Sequence, residues 1–583
     1  MSLLITFHWG RTNVYVARVR LERFRGFADQ VILPGRHAVV VGEPRAGRSD
    51  LITGLRRALD PRSWSRSPDL SDLHATGGSD DGPPAETAVE VTLLSLGPDL
   101  EQELDGRLEL IDPATGLPAP EDHAGRGQLG VRIQYRVFFD PVIGEHDHAW
   151  EYPASGVPVP RVERDLLAAV VIGPGTPLQL RPGGVFRNLV AERDAGEVSV
   201  AVSELATDVD AATGKLAGVK AVQEVLGNVL GLGAAQLLEM PTAAAEASVG
   251  WVTDDGSVDA LLRRLQPALA LDQAGPLPLS AHGSTAKGVL AVAEAMAAAD
   301  IPGAVVLADD FGDDLDAAAA EFLAASLRRA SGQVWLSTRR PEVARAFDPT
   351  EVLRLTRSHG IRRHHQLAPA TDRKSRLALR QLHLLLLPAM TTRSVALLEG
   401  PHDLEGYSAV AERRMRESGE LPPAAYGVRM IPAGTGDGGK DQIPKLARLA
   451  RDLGFHVRVV LDHDKPGTDA ALITELTGQA EQIIRLPERT SVERALIRGL
   501  PATELRTALA VVNDLYGLGL DVAGTGDADL DGLITKQLKQ KGGLHQPFVD
   551  ALPGGAVPPL AAAVLNTLTQ PPGGSVLVEL SAP

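Results

Sequence analysis

The chain contains no cysteine, which excludes disulfides, thiolate metal sites and a cysteine nucleophile. The absence says nothing about redox compartment, since either compartment tolerates it. No apolar run approaches the roughly 18 residues that a membrane-spanning helix needs, so no membrane partner is expected. The opening residues, Met1-Ser2-Leu3-Leu4-Ile5-Thr6-Phe7-His8-Trp9, carry neither a basic leader nor a small-residue cleavage site, and the default location is cytoplasmic. Aromatic residues make up only 4% of the chain, and lysine is scarce beside arginine, a composition bias that makes each lysine worth placing. Net charge is -16, which argues against a uniformly basic nucleic-acid coat and still allows a local basic groove.

The 583 residues, 44% hydrophobic and 23% charged, exceed what one core can organise and imply about two to four domains. From Val14 to Val41 the pattern reads as two strands about a charged turn, ending in His37-Ala38-Val39-Val40-Val41. A glycine-rich turn and an amphipathic helix over 50–59 follow, giving strand, phosphate-type loop and helix. The stretch 65–85 is rich in Ser, Asp, Gly and Pro and reads as an exposed loop. Alternation at Val89, Val91 and Leu93, and again over 131–138, predicts antiparallel strands. Residues 161–270 read as a helical insertion and a candidate dimerisation element. A buried strand over 304–308, a helix over 317–330 and a strand over 333–337 restore an α/β alternation. A basic, irregular stretch over 362–380 leads into a junction, after which strands near Val395, 427–431 and Val457 alternate with helices over 403–416 and 441–453.

The expected fold class is therefore α/β. A nucleotide-type domain comes in two parts, 1–160 and 271–370, around the insertion at 161–270. A linker at 371–392 precedes a second α/β domain over 393–583, with a helical region at its C-terminal end.

Two apolar runs end abruptly in acids. Val395-Ala396-Leu397-Leu398 leads into Glu399-Gly400-Pro401-His402-Asp403, and Val459-Val460-Leu461 leads into Asp462-His463-Asp464. Buried parallel strands deliver such residues to the edge of a sheet. Carboxylates converging there repel one another unless a divalent cation neutralises them.

In the first half, Gly42-Glu43-Pro44-Arg45-Ala46-Gly47-Arg48-Ser49 has phosphate-loop spacing, with Arg48 where the motif has Lys. Gly42 and Gly47 would let backbone N–H groups close on phosphates, and Ser49 could ligate magnesium. The bland alternative is an ordinary strand-to-helix turn. Asp309 and Asp310 end the strand over 305–308, where a second magnesium-binding motif belongs. In order and spacing these motifs resemble an ATP-binding cassette. Gly312-Asp313-Asp314-Leu315-Asp316 and Ser337-Thr338-Arg339-Arg340-Pro341 occupy the places of its D-loop and switch segment, and the stretch 279–287 resembles a divergent signature loop. Leu21-Glu22-Arg23-Phe24-Arg25-Gly26-Phe27 looks like the opening of SMC/RecF-type cassettes. The departures fall at catalytic positions: forked Arg48 for Lys, shorter Asp310 for Glu, and Arg339 for the switch His. ATP is accordingly expected to be bound weakly or turned over slowly, with a regulatory or scaffolding role.

Glu399-Gly400 and Asp462-x-Asp464, each after an apolar strand, match the two defining motifs of the Toprim fold. Joined to an N-terminal cassette, the chain resembles the OLD family of ATP-dependent nucleases, an architecture shared by the Gabija nuclease subunit. The resemblance implies a metal-dependent DNA endonuclease or nickase with two Mg2+ or Mn2+ ions per Toprim site, and a role in antiphage defence. Glu399, with a catalytic role, and Asp403 would bind one ion, and Asp462 and Asp464 the second or both. Ser491 and Glu493 would complete the second site, although a capping Ser and a helix-start acid explain them almost as well. A late lysine of the family falls in Lys536-Gln537-Leu538-Lys539-Gln540-Lys541, and Lys541 is chosen as the catalytic cation; the alternative is a solvated helix face. Lys440, after a glycine-rich turn, suits phosphate contact or a simple turn equally. His402 and His463 are left out of the metal set, and Tyr407, Tyr426 and Tyr516 are read as packing residues. The resemblance also implies DNA as substrate, a homodimer or higher assembly, and a helicase-like partner. The competing reading is a RecF/SMC-like DNA-binding scaffold whose Toprim domain does not cleave.

Overall fold

Continuous apolar runs avoid water only when a sheet is covered on both faces, and this chain builds two parallel sheets around such runs. A computed structural model describes residues 14–60, 69–74, 86–120, 125, 127–167, 169–173, 177–179, 184–217, 219–220, 262, 267–270, 276–299, 305–434, 439–464, 467 and 469–583. The first run forms β1 (Ala38–Gly42), buried throughout. Its alternate residues enter opposite cores, Val39 and Val41 on one face and Ala38 and Val40 on the other. The helix α1 (Arg48–Leu59) follows, burying Leu51, Ile52, Leu55, Ala58 and Leu59 along one stripe.

Around β1 stand β2 (Val170–Ile172), β3 (Val305–Ala308), β4 (Gln333–Ser337), β5 (Val352–Ser358) and β6 (Ile361–Gln366). The order is β2-β3-β4-β1-β5-β6, parallel except for the β5–β6 hairpin. Because β4 lies between β1 and β3, the ends of all three open on one edge, bringing the 43–47 loop, Ser337 and Asp309 together. An antiparallel sheet caps the other side of α1, with Tyr15–Phe24, Glu86–Leu94 and Gln128–Asp140 at its centre.

Several segments differ from the sequence reading. β2 falls within 161–270 yet pairs with β3, so the first parallel sheet reaches into the expected insertion. Helix Val185–Ala217, with a non-helical residue at Asp194, follows, and 221–261 lie outside the described residues. Most of the expected loop at 65–85 is likewise outside them, apart from 69–74 and the turn Leu70–Asp72. The basic stretch over 362–380 is not irregular. It holds β6, whose edge position tolerates long polar side chains, and the start of α2 (Arg373–Leu386). Helix α2 spans much of the expected linker, and Leu386, Leu387 and Met390 lie in the main core.

The second parallel sheet comprises β7 (Ser394–Leu398), β8 (Val428–Pro432), β9 (His456–Leu461), β10 (Gln482–Arg485) and β11 (Leu577–Glu579) in the order β8-β7-β9-β10-β11. From β7 the chain passes to β8 on one side, and from β9 to β10 on the other. This reversal leaves a crevice at the carboxyl ends of β7 and β9, where ligands of open α/β sheets bind. Helices α3 (Pro401–Ser418), α4 (Ile443–Asp452), α5 (Val492–Ala495), α6 (Asp527–Gln540) and α7 (His545–Asp550) surround it.

The two parallel sheets share a core. Val39, Val41, Val334 and Leu336 belong to the same buried cluster as Val395, Leu397, Val457 and Val459, with α2 and α4 contributing Leu386, Leu446 and Ala447. Arg354 of β5 is fully buried at this junction. Its guanidinium donates to the carbonyls of Thr392 and Leu453, both at 2.7 Å, and of Met390 at 3.4 Å. It also stands 3.6 Å from the centre of the Phe455 ring. Burial lowers its pKa to about 9, which still leaves the guanidinium charged at neutral pH.

Candidate functional site

At the carboxyl edge of the first parallel sheet, β1 ends at Gly42 and α1 begins at Arg48. Gly47 has φ +99, a conformation that favours glycine, and the Arg362 guanidinium packs where a Cβ would lie. Arg48 Nη1 donates to the Thr338 carbonyl at 3.0 Å, tying the loop's cation to the end of β4. Ser49 occupies the first turn of α1. Asp309 Oδ1 accepts from Ser337 Oγ at 2.5 Å and from the Asp310 N–H at 3.1 Å. Asp310 is held above the ordinary carboxylate range by partial burial and then by Asp309, while Arg339 pairs with Asp313 and lies 3.9 Å from Asp310. The spacing did not reveal Arg362: from β6 it covers Gly47 and bonds Asp50 at 2.5 Å, adding a second cation beside the loop.

In the second sheet, the crevice between β7 and β9 gathers the acids. Glu399 Oε1 accepts the Asp462 N–H at 2.8 Å, which clips the two strand ends together. Asp403 is buried at the start of α3, where its Oδ2 takes the Gly400 N–H at 2.8 Å. Asp462 Oδ2 accepts the Val492 N–H at 3.2 Å, so this acid holds the first residue of α5. Ser491 forms no side-chain capping bond. Its hydroxyl donates instead to Glu493 Oε2 at 2.5 Å, orienting that buried carboxylate. Asp464 lies exposed at the mouth.

Burial sets the electrostatics. It raises Glu399 to about 7, opposed by Lys440 and reinforced by Asp403, a difference worth on the order of 3 kcal/mol against the charged form. Asp403 is pushed up to about 6, first by burial and then by Glu493 among the neighbouring charges. Asp462 is raised well above its ordinary value by burial, then by Asp403 and Glu399. Four carboxyl groups thus share a volume that cannot hold all of them ionised without added positive charge.

Two lysines supply part of that charge. Lys440 Nζ lies 3.3 Å from Glu399 Oε1 and 3.3 Å from Asp469 Oδ1, and donates to the Asp462 carbonyl at 2.9 Å. Burial lowers its pKa, but Glu399 and Asp469 outweigh that and leave it raised. Lys440 reaches in because Gly439 has no Cβ; one there would stand 1.6 Å from the Glu399 carbonyl oxygen. The preceding residues 435–438, like 465 and 466, are outside the described residues. From α6, Lys539 Nζ approaches Asp464 Oδ2 at 3.6 Å and Glu493 Oε2 at 3.7 Å. Lys541, singled out in the sequence, is the exposed residue that closes α6, and the cation brought to the acids is its neighbour Lys539. Tyr407 is buried beneath the cluster, and Tyr426 and Tyr516 are exposed.

No protein-family model and no curated protein matches the sequence. Among solved structures the chain is similar to SMC head domains. The Pyrococcus furiosus head with an extended coiled coil, bound to the C-terminal domain of ScpA, is 13% identical with a TM-score of 0.34 over 64% of this chain and 99% of that one. The Pyrococcus yayanosii head with a coiled coil and joint is 15% identical with a TM-score of 0.33 over 64% and 99%. The Thermotoga maritima head is 12% identical with a TM-score of 0.29 over 61% and 99%. At these values the likeness carries no conclusion about activity. No helix among the described residues is long and apolar enough to cross a membrane.

Proposed function

We propose that this chain is a divalent-metal-dependent DNA endonuclease or nickase whose phosphodiester chemistry takes place in the β7–β9 crevice under control of the nucleotide edge. What supports the reading is the convergence of Glu399, Asp403 and Asp462 at a topological switch point, with burial holding their pKa values up. Oxygen-rich, charge-frustrated and partly open at Asp464, this donor set fits Mg2+ or Mn2+. Glu399, Asp403, Asp462, Asp464 and Glu493 would hold the ions, with Ser491 positioning Glu493. When bound, a pair of such ions supplies an activated water and stabilisation of the leaving oxygen.

The residues of the chain do the rest. Lys440 offsets the Glu399 charge from inside the crevice, and Asp462 ties the ligand-bearing strand end to α5. Lys539 presents a cation at the mouth, where a phosphate oxygen of DNA would arrive. At the other edge, Gly42, Gly47, Arg48 and Ser49 would receive the phosphates of ATP, with Asp309 and Asp310 toward its magnesium. Arg48 already engages the Thr338 carbonyl, so turnover is expected to be slow and nucleotide to act as control. A homodimeric or higher assembly, a helicase-like partner and a role in antiphage defence accompany this reading through the resemblance to OLD nucleases.

The test is incubation with supercoiled plasmid and Mg2+ or Mn2+, with and without ATP, comparing the wild type with Asp462→Ala. Nicking is expected from the wild type alone. Equal nicking by both proteins, or by neither under any nucleotide condition, would sink the nuclease reading and favour the non-cleaving scaffold.

A further inference from the structure

Beside the carboxylate crevice stands a cluster of different chemistry. His402 of α3, Glu493 of α5 and His545 of α7 each offer a ligand atom within 4.8 Å of the others. His402 Nδ1 is 3.8 Å from Glu493 Oε1, and the two imidazole rings lie 4.9 Å apart. Glu493 is divided between two environments: Oε2 is engaged by Ser491 and faces Lys539, whereas Oε1 faces His402.

His545 makes the second, independent observation. It is fully buried, yet neither ring nitrogen completes a hydrogen bond among the described residues. Its Nδ1 stands 3.3 Å from Glu405 Oε2, the carboxylate partner that fixes the tautomer of metal-ligating histidines. A proton on Nδ1 leaves Nε2 with a free lone pair among buried side chains. A buried polar atom in that state costs on the order of 1–3 kcal/mol, and no side chain among the described residues hydrogen-bonds to it.

We infer that His402, Glu493 and His545 form a binding site for a first-row transition cation of the Zn2+ type, distinct in chemistry from the all-oxygen crevice next to it. Two imidazoles and one carboxylate are a ligand set that zinc takes where it keeps an open position, whereas Mg2+ prefers oxygen and retained water. With Zn–N distances near 2.0–2.1 Å, ligand atoms in a tetrahedral site stand about 3.4 Å apart. The half-exposed His402 can close the remaining gap by side-chain rotation. Glu493 touches both sites, so the ion would sit at the wall of the crevice. A role for it in DNA cleavage rests on the nuclease reading; its binding does not.

The test uses the full-length protein, stripped with chelator and titrated with Co2+ as a spectroscopic probe and Zn2+ by equilibrium dialysis, in excess Mg2+. Wild type is expected to take up one Co2+ whose visible absorption reports imidazole ligation and which Zn2+ displaces. His402→Ala, at a half-exposed position, should weaken that binding at least tenfold while its circular dichroism and melting curve match the wild type. Asp462→Asn should retain the ion. His545→Gln serves as a second variant only if its melting curve stays cooperative. Unchanged Co2+ uptake in His402→Ala, or full displacement by Mg2+, overturns the inference. Histidine-dependent Co2+ binding by a protein that never nicks plasmid upholds it and sinks only the nuclease reading. Nicking with Mg2+ and no histidine-dependent ion sinks only the inference.

Discussion

Asp462 is under two opposing demands. Its carboxylate fastens α5 through the Val492 N–H, and its charge is disfavoured by burial and by Asp403 and Glu399. Asp462→Asn keeps an acceptor oxygen and removes the charge. It is expected to lower plasmid nicking at least 100-fold and to raise the metal-free melting midpoint by about 1–3 °C. A variant that nicks normally, or melts below the wild type without metal, would contradict this account. Asp462 and Glu399 were legible in the sequence because each ends an uninterrupted apolar run. Lys440 was only half legible: its contact depends on how closely Gly439 approaches the Glu399 backbone, which spacing does not encode. His545 carried no signal, since it reaches His402 and Glu493 only through the packing of α7 on α3.

Helix α6 separates the lysine chosen from the sequence, Lys541, from the one that lies beside the acids, Lys539. Leu530, Ile534 and Leu538 are buried at intervals of four, which fixes the inward face and sets Lys539 beside it. Lys541 lies past the last turn. Lys539→Ala should reduce nicking by roughly 10- to 100-fold, and Lys541→Ala by less than about threefold, measured as initial rates at saturating Mn2+. Comparable losses, or a larger one at Lys541, would show that the helix end rearranges on DNA. The helical period in this stretch could have separated the two lysines. Strand β6 offered no such route, because an edge strand reading Ile361-Arg362-Arg363-His364-His365-Gln366 has no apolar alternation to detect. Arg362 was missed for the same reason.

Across the whole molecule, the α/β character and the two strand-end motifs followed from pattern, but the relation between the halves did not. Pattern reading marks boundaries where polarity rises, and the polar outer face of α2 looked like a linker although its apolar face lies in the shared core. Arg354 is the polar fastening of that core. Arg354→Met would leave the Thr392 and Leu453 carbonyls without their donor, and is expected to cost on the order of 1–3 kcal/mol for each carbonyl left unpaired. It should also split a single calorimetric transition into two, with the β7–β9 sheet melting apart from the β1 sheet. One unchanged cooperative transition would show that apolar packing alone unites the halves.

The continuity of that core also bears on how such a protein can be inherited and taken apart. A fragment beginning at residue 393 would retain both acidic motifs and the α4 cover of β7 and β9, yet lose α2, which packs on α4 and β8, leaving that side of the shared core open and inviting aggregation. Recombination at the apparent boundary would fail for the same reason. Lineages carrying this chain should therefore exchange the two halves only as a pair, and changes at β5 should be answered by changes at α4 and β9 rather than by neighbours in sequence.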